Sequence, residues 1–74
     1  MNHTTFNAAL AAFLRETGLT PTKVARLAGL SHSTVARYVS NERDASTENM
    51  AAICYALDIE ARYKPGRGWV LIEK

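Results

Sequence analysis

Arg37 carries the clearest recognition chemistry in this 74-residue chain. A guanidinium is planar, permanently charged and forked, so it can hold two acceptors at once, as guanine O6 and N7 present them. It suits a phosphate or plain solvation equally well. Ser31, His32, Ser33 and Ala36 fall on the same side of a short helix predicted over 31–40. Side chains of this kind on one convex face hold a partner by hydrogen bonds; they are not set up to make or break bonds. No Ser/His/Asp set, phosphate-cradling glycine loop or metal-ligand spacing accompanies them. The expectation is therefore no enzyme, no metal, no cofactor and no small-molecule ligand. The single cysteine, Cys54, excludes an internal disulfide and reads as a small buried hydrophobe.

The elements that must position this face lie within residues 20–41. Thr20 is an N-cap, and Pro21 follows at the first helical position, where a missing N–H costs nothing. Val24, Leu27 and Ala28 recur at helical spacing and predict one inward stripe. Gly29 ends the run where a left-handed backbone is needed. Leu30 plugs the corner and Ser31 caps a second helix, whose inward face is Val35, Tyr38 and Val39. Ala25 stands where the two helices cross, which demands a small side chain. Two capped helices in this register form a helix-turn-helix.

Around it, Phe6, Leu10, Phe13 and Leu14 predict a first helix over 6–17, capped by Thr4 or Thr5 and stopped by Gly18. Residues 1–5 are expected to be frayed, with His3 solvated. Asn41 suits the left-handed position after the second helix of the motif. The loop 41–45 leads to a new cap at Ser46 or Thr47. Met50, Ile53, Cys54 and Leu57 then give a fourth stripe ending near Ile59. In the tail 61–74, Pro65-Gly66 is a type II turn signal between Ala61–Lys64 and the apolar run Trp69, Val70, Leu71, Ile72. A continuous apolar run implies cover on both faces of the strand. Two arrangements provide it: pairing with a second subunit, or folding back on the chain's own helices.

The register of Ala25, Gly29, Leu30 and Val35, with the downstream stretch SNERDASTENMAAICYALDI, resembles the phage Cro and repressor family over roughly residues 6–59. The resemblance implies a mainly α fold: a four-helix lambda-repressor-like domain with a short C-terminal β-strand or hairpin. The whole chain, 1–74, forms one domain. A helix is of a width to enter the major groove of B-DNA. Relatives place base-contacting residues where this chain has His32 and Ser33, and the expected base-contacting set is His32, Ser33, Ala36 and Arg37. His32 can donate or accept, so no base follows from it. Ala36 either meets a thymine methyl or permits close approach.

The family grips the flanking backbones from both sides of the motif. That assigns Thr20, Thr22, Lys23, Thr34, Ser40, Asn41 and Arg43 to backbone contacts. Thr34 has packing as an alternative, and Arg43 has pairing with Glu42 or Asp44. The chain departs from the family at Pro21, where relatives carry a glutamine that reaches a phosphate, and at Val39, where they often carry glutamate. Trp69, Val70, Leu71 and Ile72 are the expected dimerisation segment. Arg62, Lys64 and Arg67 around Tyr63 form a second basic cluster, either a wing on phosphates or a solvated hairpin tip.

Net charge is only +2, so the placement of cations matters more than their sum. A chain this short builds a small core, which makes oligomerisation a natural supplement. With no apolar run of membrane length and no signal peptide, the expectation is a soluble, cytoplasmic protein of a bacterial host cell, at the nucleoid when bound. The expected partners are a double-stranded DNA operator and a second copy of the chain. The expected function is sequence-specific repression by a Cro-like dimer. The alternative is a protein-interaction module on the same scaffold, such as an antitoxin or anti-repressor.

Overall fold

The structure, a computed structural model, describes residues 3–74. Four helices and a hairpin follow in order: α1 Phe6–Thr17, α2 Pro21–Ala28, α3 His32–Val39, α4 Thr47–Leu57, β1 Ile59–Lys64 and β2 Gly68–Glu73. The helices all start by the same device. The hydroxyls of Thr5, Thr20, Ser31 and Ser46 accept from the N–H three residues on, at 3.0, 3.2, 3.2 and 3.1 Å. Each such cap contributes about 1 kcal/mol.

The ends of α2 and α3 also match. Gly29 (φ 73°) and Asn41 (φ 62°) turn left-handed, and the next N–H reaches back five residues, Leu30 to Ala25 at 2.9 Å and Glu42 to Arg37 at 2.8 Å. Asp58 (φ 55°) ends α4 and sends the chain directly into β1, so Ile59 is a strand residue rather than the end of the helix.

Every helix contributes to one core. Leu10, Val24, Val35 and Ile53 are fully buried, joined by Phe6, Leu14, Ala25, Tyr38 and Ala45. Within it, α2 packs on α3 and α4, α1 packs on α3 and β2, and α4 packs on β1. The Tyr38 hydroxyl, at the core's edge, accepts from Asn49 Nδ2 at 2.7 Å and so ties α3 to α4. Leu27 departs from its expected inward place and is 52% exposed. Val24, Ala25 and Ala28 share one direction on α2, and Leu27 lies about a quarter turn outside it. Cys54 is half-buried; burial pushes its thiol up, with Lys74 acting in the opposite direction.

The hairpin closes as expected, with β1 two residues longer than the turn signals alone indicate. Arg67 N–H donates to the Lys64 carbonyl at 2.9 Å, across Pro65 and a left-handed Gly66 (φ 81°), which makes a type II turn. Tyr63 pairs with Trp69, Ala61 with Leu71, and Ile59 with Glu73 on one face; Arg62 with Val70 and Glu60 with Ile72 occupy the other. Ala61, Trp69 and Leu71 pack on the helical core. Trp69 meets Phe6 edge-on at 5.9 Å and tilts over Tyr63 at 5.2 Å. Within one chain, then, half of the apolar run folds back on the helices, and Val70 and Ile72 are left on the outer face.

His3 is not a solvated terminal residue. It is half-buried, and its backbone exchanges two hydrogen bonds with Trp69, at 2.7 and 2.6 Å, on the edge of β2 away from β1. Of the start expected to be frayed, Thr5 is a cap and His3 a bridge; residues 1–2 lie outside the described residues. The bridge needs Gly68, which has φ 97° and whose missing Cβ would collide with the His3 carbonyl. At Gly66 a Cβ meets open space. Gly68→Ala should therefore cost about 2 kcal/mol or more, and Gly66→Ala about 1 kcal/mol. Thermal unfolding of the two variants side by side checks the order.

Candidate nucleic-acid interface

The site is built outward from the buried side of α3. Val35 and Tyr38 lie in the core, and Thr34, Ala36 and Val39 are half-buried at its margins. That fixes the rotation of the helix and leaves His32, Ser33 and Arg37 exposed. Ser31 is spent on structure. Its Oγ accepts from the Thr34 N–H and lies 2.6 Å from Thr34 Oγ1, so capping uses the hydroxyl that a base contact would need. Ser33 Oγ is only loosely associated with it, at 3.4 Å.

Among the described residues the one ion pair is Arg62–Glu60. Arg37, Lys23 and Arg43 are exposed, and none of them is engaged by a carboxylate among the described residues. Arg43 in particular pairs with neither Glu42 nor Asp44.

The first flank is the start of α2. Thr20, Thr22 and Lys23 are exposed there. Thr20 accepts the Lys23 N–H through its side chain and the Val24 N–H through its carbonyl. Pro21 has no N–H, so the Thr22 amide is the remaining donor of the first turn. A helix start with a free N–H and a lysine beside it favours an anion.

The second flank is the loop after α3, which also exposes Asn41 and Arg43. Ala45 anchors its far end in the core. Its near end is held by Asn7, the one buried polar residue among those described, at 3% exposed. Asn7 Nδ2 donates to the Arg43 carbonyl at 2.7 Å and to Asn41 Oδ1 at 3.3 Å. Ser40, also expected on a phosphate, directs its hydroxyl to Glu42 Oε2 at 2.6 Å. The sequence held no sign of Asn7 beyond one polar residue at the start of an alanine-rich helix.

The hairpin cations sit elsewhere. Arg62 is held by Glu60, with Nη2 at 3.0 Å and Nε at 3.2 Å. Lys64 and Arg67 flank the turn and, with Val70 and Ile72, line a shallow depression on the outer face of the hairpin. That face looks away from the core on which α3 rests.

What the arrangement offers is a short polar helix with an unpaired arginine, framed by two donor-rich segments. Among the helices described, none is long and apolar enough to cross a membrane. Comparison with curated proteins and with solved structures finds no match. A family model described as helix-turn-helix matches residues 10–64, from within α1 through β1 and including the whole of α2, α3 and α4. The match covers well over half the chain and contains both flanks and the exposed face of α3, and on that ground the protein belongs to the helix-turn-helix family of DNA-binding transcription regulators.

Proposed function

We propose that this protein is a Cro-like repressor that reads a pseudo-palindromic operator as a dimer. The observation that carries the reading is the exposed face of α3, where Arg37 stands without a carboxylate partner beside His32 and Ser33. Each subunit lays α3 in one major-groove half-site, and His32, Ser33, Ala36 and Arg37 meet base edges. Thr20, Thr22 and Lys23 hold one phosphate backbone, and Asn41 and Arg43 hold the other, with Thr34 and Ser40 at the margins. A dimer seated over a promoter excludes polymerase. Such a protein works where the DNA is, in the cytoplasm of a bacterial host cell.

The C-terminal strand supplies the second copy's contact. Trp69 and Leu71 anchor it to the helical core, and Val70 and Ile72 are presented on the hairpin's outer face beside Arg62 and Glu60. The same patch on two copies joins them about a two-fold axis.

One observation favours a rival, a protein-interaction module such as an antitoxin. Tyr55 on α4 is 87% exposed, near an apolar groove lined by Met50, Ala51, Cys54 and Ala61. Elution of the chain from heparin without retention at low salt would favour that rival.

Selection of binding sites from random duplex DNA tests the proposal. Enriched sites should be palindromic, with half-sites about one helical turn apart; recovery of no enriched sequence would sink the repressor. On the recovered duplex, Arg37→Ala should cost about 1–3 kcal/mol and relax the sequence preference. A loss equal on all duplexes would make Arg37 a phosphate contact. Glu42→Gln should act in the opposite sense. Removing a carboxylate from a phosphate-facing loop should tighten binding to every duplex about two- to fivefold at low salt, with the gain fading as salt is added. Fluorescence anisotropy titrations at several salt concentrations read both effects.

A further inference from the structure

We infer that Asn7 is a positioning residue for DNA binding, which sets the loop after α3 with its donors outward before DNA arrives. The inference rests on the DNA-binding reading above and concerns a residue on a different helix from the motif. Asn7 is in the first turn of α1, and its side chain is buried where α1 meets the loop. An amide nitrogen has two protons, and both are used: one on the Arg43 carbonyl at 2.7 Å, the other on Asn41 Oδ1 at 3.3 Å.

The consequence for Asn41 follows from the chemistry of its amide. Its oxygen is bound inward, so the group left for a partner is Nδ2, which can only donate. An anion is the partner such a group suits. At Arg43 the carbonyl is likewise bound inward, and the guanidinium, which is exposed, is the part of the residue left for solvent or phosphate. Asn7 thus takes up two acceptors that would repel a phosphate and leaves two donors that attract one.

It also removes an ordering cost. The loop between α3 and α4 is exposed from residue 40 to 44, with Ala45 buried behind it. Chain that is free to move must be ordered on binding, at the expense of affinity. Asn7 fastens the loop at two points, and the Tyr38–Asn49 bond braces the two helices that the loop connects.

The test is a double-mutant cycle read by DNA affinity. Asn7→Ala removes the fork. Asn41→Gly removes the outward amide without strain, because glycine accepts the left-handed φ of 62° found there. Binding is measured on the selected operator duplex and on an unrelated duplex, over a salt series, well below each variant's unfolding temperature. Each single variant should lose about five- to tenfold in affinity on both duplexes and show a salt dependence weaker by about one phosphate contact. The double variant should lose little more than either one.

A purely structural Asn7 would give a lower unfolding temperature with unchanged affinity, or losses that multiply, and either result overturns the inference. If Asn7→Ala does not fold, the wild-type chain decides. Asn7 side-chain amide protons that are protected from exchange in the free protein, together with the Asn41→Gly loss, support the role; rapid exchange removes it. Failure of the wild type to bind any duplex would sink the repressor itself, and the positioning role with it. Wild-type binding with unaffected variants would sink only the positioning role.

Discussion

An eight-residue helix is not stable in water by itself, and α3 is such a helix. Its existence depends on burying Val35 and Tyr38 against the rest of the domain. Two inward residues on two turns also fix its rotation, so the same contacts that stabilise α3 decide which side chains stay outside. The other helices can be understood as the means of satisfying that constraint. Helix α2 supplies Val24 and a small Ala25 at the crossing, α1 supplies Leu10 and Leu14, and α4 supplies Ile53 and the amide that holds the Tyr38 hydroxyl.

Charge follows the same division between occupied and open groups. The sum, +2, is too small to mark a nucleic-acid surface. Where the cations stand decides more than their number. Arg62 on the hairpin is paired with Glu60 two residues away on the same strand face; among the described residues Arg37, Lys23 and Arg43 around α3 have no such partner, and neither have Lys64 and Arg67 beside the hairpin turn. Glu42 stands among the three around α3 as an opposing charge.

The hairpin shows how a small chain uses an apolar run whose faces need different cover. Trp69 and Leu71 add to the core by packing over α1, Trp69 against Phe6. His3 occupies the edge of β2 at Trp69, so a second copy arriving at that edge would compete with the chain's own start. Val70 and Ile72 lie on the outer face, away from that bridge.

The four helices, their caps and the left-handed ends of α2 and α3 were legible in the chain because each depends on residues within one turn of it. Thr20 with Pro21, Gly29, Ser31 and Asn41 impose their geometry locally, and apolar periodicity did the rest. The rotation of α3, and with it the exposure of His32, Ser33 and Arg37, also followed from local spacing. Features that join distant parts of the chain were not legible. The Asn7 fork to Asn41 and Arg43, the His3 bridge to Trp69 and the outward turn of Leu27 depend on which surfaces meet, and a stripe pattern says only that a surface must meet something. By itself the sequence determined where the first three helices begin and end and most of the face that each buries, through backbone capping and hydrophobic spacing. Only the tertiary structure decided which polar groups are used up in holding the molecule together and which are left open, because a hydrogen bond is assigned by proximity in space and not by order along the chain.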